Sequence, residues 1–205
     1  MSKKPKHLDK DFEQELNYQL WSTSRQRFNY AERLRIQHRL STRSVACVTS
    51  YLIIYSIMDK FYPGNDFLSI IIIFLSIWIL VFSLLEERGN YQIEAIDMDE
   101  CANKINQLYN RLRFCKSYLK NQEKIDEIKN ISDEYRDVLK RYKNHHQIDR
   151  YQFLCDYKKY HKINWFLSLM YKIKIYIVTR LKYDFVIIIP LVYLIYLIFT
   201  EMLKK

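Results

Sequence analysis

Apolar residues in this chain are concentrated in three long blocks, and charged residues fill the stretches between them. The strongest block, 67–85, runs for nineteen residues without a charge, and fifteen of these are Phe, Leu, Ile or Val. At about 1.5 Å of rise per helical residue, its length nearly matches a hydrocarbon core of about 30 Å. The pattern therefore predicts a transmembrane helix over 67–85.

A shorter apolar block, 44–62, precedes the strongest one. Its aromatic end at Phe61 can lie at the membrane interface, while Lys60 extends its amine towards water. Only the few residues around Gly64 join the two blocks, so the first helix should return across the bilayer as an antiparallel partner. We therefore predict a transmembrane hairpin over 44–85.

The third apolar block, 185–203, contains Pro190, which a membrane helix tolerates as a kink. It predicts a third membrane helix, with a re-entrant or packed helix as the alternative; a full span would place Lys205 outside the cell. Before it, segment 161–182 mixes large apolar residues with lysines, which is typical of a helix lying in the membrane interface.

Two amphipathic helices are predicted between the hairpin and this segment, within 86–160. The first has an apolar seam with alternating steps of three and four residues, as in a coiled coil: Met98, Cys101, Ile105, Leu108, Leu112, Cys115 and Leu119. A second seam contains Ile125, Ile128, Tyr135, Leu139 and Tyr142. Such helices could pack on each other or on copies in neighbouring subunits, and we expect intramolecular packing.

Residues 1–43 also have helical spacing, and we predict cytoplasmic helices there. Thr23 with Gln26 resembles a capping box that would start a second helix running towards the membrane. Four arginines then approach the first span: Arg33, Arg35, Arg39 and Arg43. They fit the ordinary positive flank of a span, and a site for lipid headgroups is the alternative.

Composition supports an all-α fold, because the 205 residues include only two Gly and three Pro, too few for a turn-rich sheet protein. Lys and Arg outnumber Asp and Glu by 33 to 23, and ten of the basic residues fall within 1–43, against one in the loop 59–66. The positive-inside rule therefore predicts a cytoplasmic N-terminus and a cytoplasmic stretch over 86–184. The predicted fold class is an all-α membrane protein with a transmembrane hairpin, a cytoplasmic helical bundle and a third membrane helix.

Residues suited to catalysis or metal binding are sparse. The four cysteines form no CxxC pair, so we expect reduced, buried thiols at Cys47, Cys101, Cys115 and Cys155. His145 and His146 lie near Asp149, but no third ligand stands at a spacing that encloses a metal, which favours a capped turn between helices. We predict no catalytic residue, cofactor or metal, and no enzyme activity, since no nucleophile elbow or Gly-rich loop is present. The start of the chain shows no cleavable signal peptide.

Hydroxyl residues form two stripes in the hairpin, each with a repeat of seven: Thr42, Thr49 and Ser56, then Ser69, Ser76 and Ser83. Small hydroxylated residues let membrane helices approach closely, so the preferred interpretation is helix packing. If several hairpins assemble in a ring, the same hydroxyls could line a pore, with Asp59 and Asp66 at its outer mouth favouring cations.

Two sequence stretches carry a family resemblance: LWSTSRQRFNYAERLRIQHRLSTRS at 20–44 and YRDVLKRYKNHHQIDRYQFL at 135–154. The family-like positions are Trp21, Arg27, Arg33, Asn144, His145 and Asp149. With the hairpin, these stretches resemble the SLATT family, two-transmembrane effector domains of prokaryotic conflict systems, over most of 15–160. Lys143 stands where the common pattern has Glu, so a role for an acidic side chain at that position is not implied here.

The resemblance implies a multi-pass protein of the bacterial inner membrane that acts in antiviral defence by abortive infection. A homo-oligomer in the lipid bilayer would form a pore, or otherwise disrupt the membrane, when triggered by a nucleotide signal or a partner. The C-terminal apolar block resembles the branch of the family coupled to reverse transcriptases, so the implied partner is a reverse transcriptase or a nucleotide-signalling enzyme.

Two other function classes fit parts of the pattern. A membrane scaffold could recruit a cytoplasmic enzyme through the coiled-coil seams without changing membrane potential. A tethered nucleic-acid-binding module would draw on the net charge of +10. Acidic and basic residues interleave throughout 86–184 with no purely basic run, which disfavours direct nucleic-acid binding.

Overall fold

A computed structural model describes residues 11–61 and 66–203 of the chain. These ranges form seven α-helices and one π-helical segment, Ile177–Leu181, and contain no strand. The α-helices are α1 (Phe12–Phe61), α2 (Asp66–Glu87), α3 (Tyr91–Tyr118), α4 (Asn121–Arg141), α5 (Gln147–Asp156), α6 (Trp165–Tyr176) and α7 (Lys182–Leu203). The predicted all-α fold is confirmed. The hairpin turn around Gly64, the first ten residues, where a signal peptide was considered, and Lys205 lie outside the described residues.

Three helical stretches of the described chain are long and apolar enough to cross a membrane. They lie within Phe12–Phe61, Asp66–Tyr118 and Trp165–Thr200. Within the second, only 11% of the most apolar window is buried inside the chain. Because exposed apolar surface on this scale is unfavourable in water and favourable in lipid, the structure is that of an all-α membrane protein.

Helix α1 runs without a break from Phe12–Phe61, so the predicted start of a second helix at Thr23 is wrong. The Thr23 hydroxyl does not cap a helix; it forms a 2.9 Å hydrogen bond with the hydroxyl of Tyr135. The α1 sequence contains neither Gly nor Pro, so nothing in its backbone interrupts the helical hydrogen bonds.

The chain forms two compact units, and α1 contributes to both. We call the first the bundle unit; it contains the described residues up to Leu34 together with Ile93–Ile175. The second, the hairpin unit, contains Arg35–Gln92 and the described residues from Tyr176 onwards.

The core of the bundle unit is built from α1, α3 and α4. Its buried residues are Leu16, Leu20, Cys101, Ile105, Leu108, Leu112, Cys115, Ile128, Ile131 and Tyr135. The predicted α3 seam is confirmed, with Met98 also buried and Leu119 half-buried. The predicted α4 seam is wrong at Ile125, which is 60% exposed, and it omits Ile131, which is fully buried. The two seams pack within one chain, as expected.

The core of the hairpin unit brings α1, α2 and α7 together. Its buried residues are Tyr55, Leu68, Leu75, Leu194 and Leu197. The Tyr55 hydroxyl donates a 2.6 Å hydrogen bond to the carbonyl oxygen of Pro190, and α7 continues through that proline. A buried hydrogen bond between these helices fixes α7 against α1, because an unpaired hydroxyl in this apolar core would be costly.

Helix α6, within the predicted interfacial segment, exposes most of its large apolar side chains. Trp165 is 73% exposed and Phe166 is 60% exposed, and Met170 and Ile173 are exposed on the same helix. An interfacial helix has such an apolar surface, with lysines at Lys172 and Lys174 to reach the lipid headgroups. Its placement at the membrane surface stays a prediction.

The four cysteines are free thiols in the structure. Cys101, Cys115 and Cys155 are buried as expected, whereas Cys47 is only half-buried. Each therefore acts as a small apolar residue in the packing.

Candidate functional site

The bundle unit contains a buried ion pair between two of the family-like positions, Arg33 on α1 and Asp149 on α5. Arg33 Nε donates to Asp149 Oδ1 at 2.8 Å, and Arg33 Nη2 donates to Asp149 Oδ2 at 3.1 Å. The Asp149 side chain is 1% exposed and that of Arg33 is 11% exposed. This two-point pairing fixes the start of α5 against α1, because removal of either partner would leave the other charge buried.

Asp149 also caps the helix that it belongs to. Its Oδ2 atom accepts a 3.1 Å hydrogen bond from the backbone N–H of His146, the residue that precedes α5. The histidine pair thus lies in a capped turn, as the sequence predicted, with His145 half-buried and Asn144 exposed. Across the described residues, no group of three or more His, Cys, Asp or Glu is placed to hold a metal.

Arg27 lies six residues before Arg33 on α1 and is fully buried, with 0% exposure. Its Nη1 atom donates to Met98 Sδ at 3.3 Å, which is a weak acceptor. Within the part of the chain that the structure describes, the Nε and Nη2 atoms have no hydrogen-bond partner, and neither has the Nδ1 atom of His145. Burying an arginine in this environment is unfavourable for the free energy of folding, because a buried cation is normally stabilised by a partner.

Trp21 anchors an aromatic cluster between α1 and the end of α5. The centroid of its ring lies 5.1 Å from that of Phe153, 4.8 Å from that of Tyr157 and 5.4 Å from that of Tyr160, and each pair is edge-to-face. Such pairs are favourable beyond their burial, so Trp21 holds the region after α5 against the bundle.

Tyr30 and Glu94 form a further polar contact in the bundle unit, and neither residue was identified from the sequence. The Tyr30 hydroxyl donates to Glu94 Oε1 at 2.6 Å, and Lys143 Nζ lies 3.6 Å from the same oxygen. Tyr30 lies midway between Arg27 and Arg33 on α1, so their common spacing of three residues was the signal that could have identified it. Lys143, which departs from the family pattern and lies between α4 and α5, thus pairs with an acid on α3.

In the hairpin unit, the hydroxyl stripes flank the buried seams of α1 and α2. The stripe residues Thr42, Thr49 and Ser56 each follow by one position a buried residue: Ser41, Val48 and Tyr55. On α2, Ser69 and Ser76 likewise follow the buried Leu68 and Leu75. One residue turns an α-helix by about 100°, so both stripes lie beside the packed faces and not in them.

All the stripe residues except Ser83 are exposed in the single chain, and Ser83 is half-buried. The hydroxyls of Thr42, Thr49, Ser56 and Ser76 donate to carbonyl oxygens four residues earlier in their own helices. Ser83 donates to the carbonyl oxygen of Leu80. Their assignment to packing between helices or to a pore stays a prediction.

The predicted mouth residues lie where α1 ends and α2 begins. The Asp59 carboxylate accepts a 3.1 Å hydrogen bond from the Ser69 hydroxyl. Asp66 is exposed in the first turn of α2, where the positive end of the helix dipole stabilises a carboxylate. The structure therefore places Asp59 beside the first member of the α2 stripe.

A polar cluster that the sequence analysis missed joins the end of α2 to the start of α7. The Glu86 carboxylate, 9% exposed, lies 2.6 Å from Lys182 Nζ and accepts a 2.7 Å hydrogen bond from the Tyr183 hydroxyl. Only the tertiary fold brings these residues together, because nearly a hundred positions separate them.

Residues 9–197 match the family described as SMODS and SLOG-associating 2TM effector domain family 5. The chain belongs to this family. The match confirms the SLATT resemblance and extends it beyond residues 15–160. As a member of this SLATT family, the chain is a membrane effector of prokaryotic conflict systems. No curated protein and no solved structure matches the chain.

Two half-buried histidines of this SLATT bundle, His145 and His161, should make the protein less stable in acid. Burial lowers the pKa of His145, and the charge of Arg27 lowers it further, although Asp149 opposes them. Burial and Arg150 lower the pKa of His161 as well. The unfolded chain then binds more protons than the folded chain below about pH 6.5, so stability falls as the pH drops through that value.

We expect the melting temperature of the detergent-solubilised protein to fall between pH 7.5 and 5.5, with a slope of at most about 1.4 kcal/mol per pH unit for each histidine. The double variant His145→Gln, His161→Gln should flatten this dependence. A double variant that keeps the full slope would assign the acid sensitivity to other groups.

Proposed function

We propose that several copies of this chain assemble in the bacterial inner membrane and permeabilise it, so that an infected cell stops growing before phage can spread. The observation that carries the proposal is the pair of hydroxyl stripes on α1 and α2, which the single chain leaves exposed beside its packed seams at every member except Ser83. In a family of two-transmembrane effectors, such surfaces suit contact between copies.

The exposed hydroxyls support assembly in two ways. Small side chains such as Ser76 let neighbouring helices approach closely. Each hydroxyl that donates to its own helix keeps its oxygen as an acceptor, so a ring of copies would present polar atoms to a water-filled path. Single copies in lipid would use neither property.

The charge distribution supports the orientation. Ten Lys and Arg fall within 1–43 and one falls within 59–66, which favours a cytoplasmic N-terminus. Asp59 and Asp66 then lie on the outer side, where a ring of carboxylates would favour cations over anions.

The bundle unit is the part that would receive the trigger, and no catalytic chemistry is proposed for it. A nucleotide signal or a protein partner opens the assembly only if it binds the open arrangement better than the closed one. Helix α1 runs unbroken from the bundle unit into the hairpin unit, so a rearrangement of the bundle has a continuous backbone to act on.

Ser76→Leu tests the Ser-lined path. We expect the wild-type chain, induced with its genomic neighbours, to abolish the membrane potential of the cells, as reported by a potential-sensitive dye. Ser76→Leu should lose this activity while remaining in the membrane fraction, because a bulky apolar side chain replaces the hydroxyl. The matched control is Ile77→Leu at the next position, which is also exposed and should keep full activity.

Two outcomes would contradict the proposal. Depolarisation by Ser76→Leu at the wild-type level would exclude a path lined by this stripe. An intact potential with the wild-type chain and its neighbours would favour the scaffold that recruits a reverse transcriptase or nucleotide synthetase.

A further inference from the structure

Arg27 is a fully buried cation whose guanidinium group is only partly satisfied. Of its three nitrogens, Nη1 contacts Met98 Sδ, and Nε and Nη2 have no hydrogen-bond partner among the described residues. Asp149 is engaged by Arg33 and by the His146 backbone. Tyr135 is near enough for the charge of Arg27 to lower its pKa, but its hydroxyl already forms a hydrogen bond with Thr23.

The two unpartnered nitrogens form one edge of the guanidinium group. Nε and Nη2 are the atoms with which Arg33 holds both oxygens of Asp149, at 2.8 and 3.1 Å. Arg33 therefore shows, within the same bundle, what this edge binds: two oxygens of one anionic group. Arg27 presents the same edge without the carboxylate.

A third polar atom favours phosphate over carboxylate. The Nδ1 atom of His145 also has no partner, and His145 is close enough to Arg27 for the arginine charge to lower its pKa. A carboxylate could reach all three nitrogens only by sharing one of its two oxygens between two donors, as Asp149 Oδ2 is shared by Arg33 and His146. A phosphate group has more acceptor oxygens, so each nitrogen can have an oxygen of its own.

We propose that Arg27 and His145 form a phosphate-binding site inside the bundle unit. Its ligand is a small molecule with a phosphate group, either inorganic phosphate or a phosphate monoester such as a mononucleotide. Because Arg27 has 0% exposure, the ligand enters only when the surrounding helices separate, which makes occupancy sensitive to their packing. The inference that phosphate binds here depends only on residues of the bundle unit. The further inference that this binding triggers the effector depends on the proposed function.

The test is thermal unfolding of the full chain in detergent at pH 7.5 and constant ionic strength, monitored by tryptophan fluorescence. Sodium phosphate should raise the melting temperature saturably, by about 4 °C at a tenfold excess over its dissociation constant, since it binds the folded state. Sodium chloride should give no such rise. Adenosine monophosphate gives the monoester arm: a rise with phosphate alone assigns the free ion, and a rise with both extends the site to phosphate esters.

Two substitutions of Arg27 locate the effect. Arg27→Met should abolish the phosphate-dependent shift, and Arg27→Lys, which keeps the charge without the two-nitrogen edge, should require at least about tenfold more phosphate for half of it. If Arg27→Met does not fold, Arg27→Lys against wild type decides. The control is Arg113→Met, which removes an exposed arginine and therefore has the same net charge as Arg27→Met. It should respond to phosphate like wild type.

Three results would overturn the inference: no phosphate-dependent shift in the wild-type chain, the full shift in Arg27→Met or an unchanged half-saturating phosphate concentration in Arg27→Lys, or an equal shift with sodium acetate, which would assign a carboxylate site. Binding is measured independently of membrane potential. A phosphate site in a chain that leaves the potential intact would therefore uphold this inference and overturn only the proposed function.

Discussion

Asp149→Asn should lower the free energy of unfolding of the bundle unit by about 3–5 kcal/mol, because it removes the carboxylate charge that pairs at two points with the largely buried Arg33. Asparagine keeps nearly the same shape and an oxygen that can still accept the His146 N–H, so the capped turn before α5 is retained. The measurement is urea unfolding of the full chain in detergent, followed by circular dichroism.

The double variant Arg33→Met, Asp149→Asn should recover most of the loss, to within about 1 kcal/mol of wild type, since an apolar side chain replaces the buried arginine whose ion pair with Asp149 is gone. Glu134→Gln is the surface control: Glu134 pairs with Arg111 but is 49% exposed, so its loss should cost at most about 1 kcal/mol. If Asp149→Asn costs no more than Glu134→Gln, the buried pair does not stabilise the fold in this way.

Leu112→Ala should destabilise the bundle unit by about 2–5 kcal/mol. Leu112 is fully buried in the core shared by α1, α3 and α4, and truncation removes its apolar contacts and leaves a cavity that a close-packed core fills only in part. The same urea titration gives the change in the unfolding midpoint.

Ile125→Ala is the matched control for that core. The apolar repeat assigned Ile125 to the α4 seam, whereas the structure exposes 60% of it. We expect a change within about 0.5 kcal/mol. A cost at Ile125 equal to that at Leu112 would show that the sequence pattern, and not the structure, describes the α4 core.

The contrast between α3 and α4 shows how far periodicity reaches. On α3, polar residues separate the seam positions from Met98 to Leu112, and every one of these positions is buried. On α4, Ile125, Ile128 and Ile131 are all apolar at spacings of three, so periodicity alone does not decide which end of the row faces the core. The α4 core continues from Ile128 and Ile131 to Tyr135, and Ile125 falls outside it.

The break predicted in α1 failed for a related reason. A Thr followed three positions later by Gln is a local signal for a helix start, but the same residues occur inside helices when tertiary contacts engage the hydroxyl. In this chain Thr23 meets Tyr135, which is 112 residues away in the sequence. No local rule contains that partner.

The helical class, the three apolar helices and the family can all be predicted from the sequence, because uncharged length, helical periodicity and the motif stretches are properties of neighbouring residues. The motif stretches also identify Arg27, Arg33 and Asp149 as individual positions. The pairing of Arg33 with Asp149, and the lack of hydrogen-bond partners for two Arg27 nitrogens among the described residues, emerge only in the folded chain. Ion pairing and burial depend on which distant side chains share a low-dielectric interior, and helical spacing carries no information about that choice.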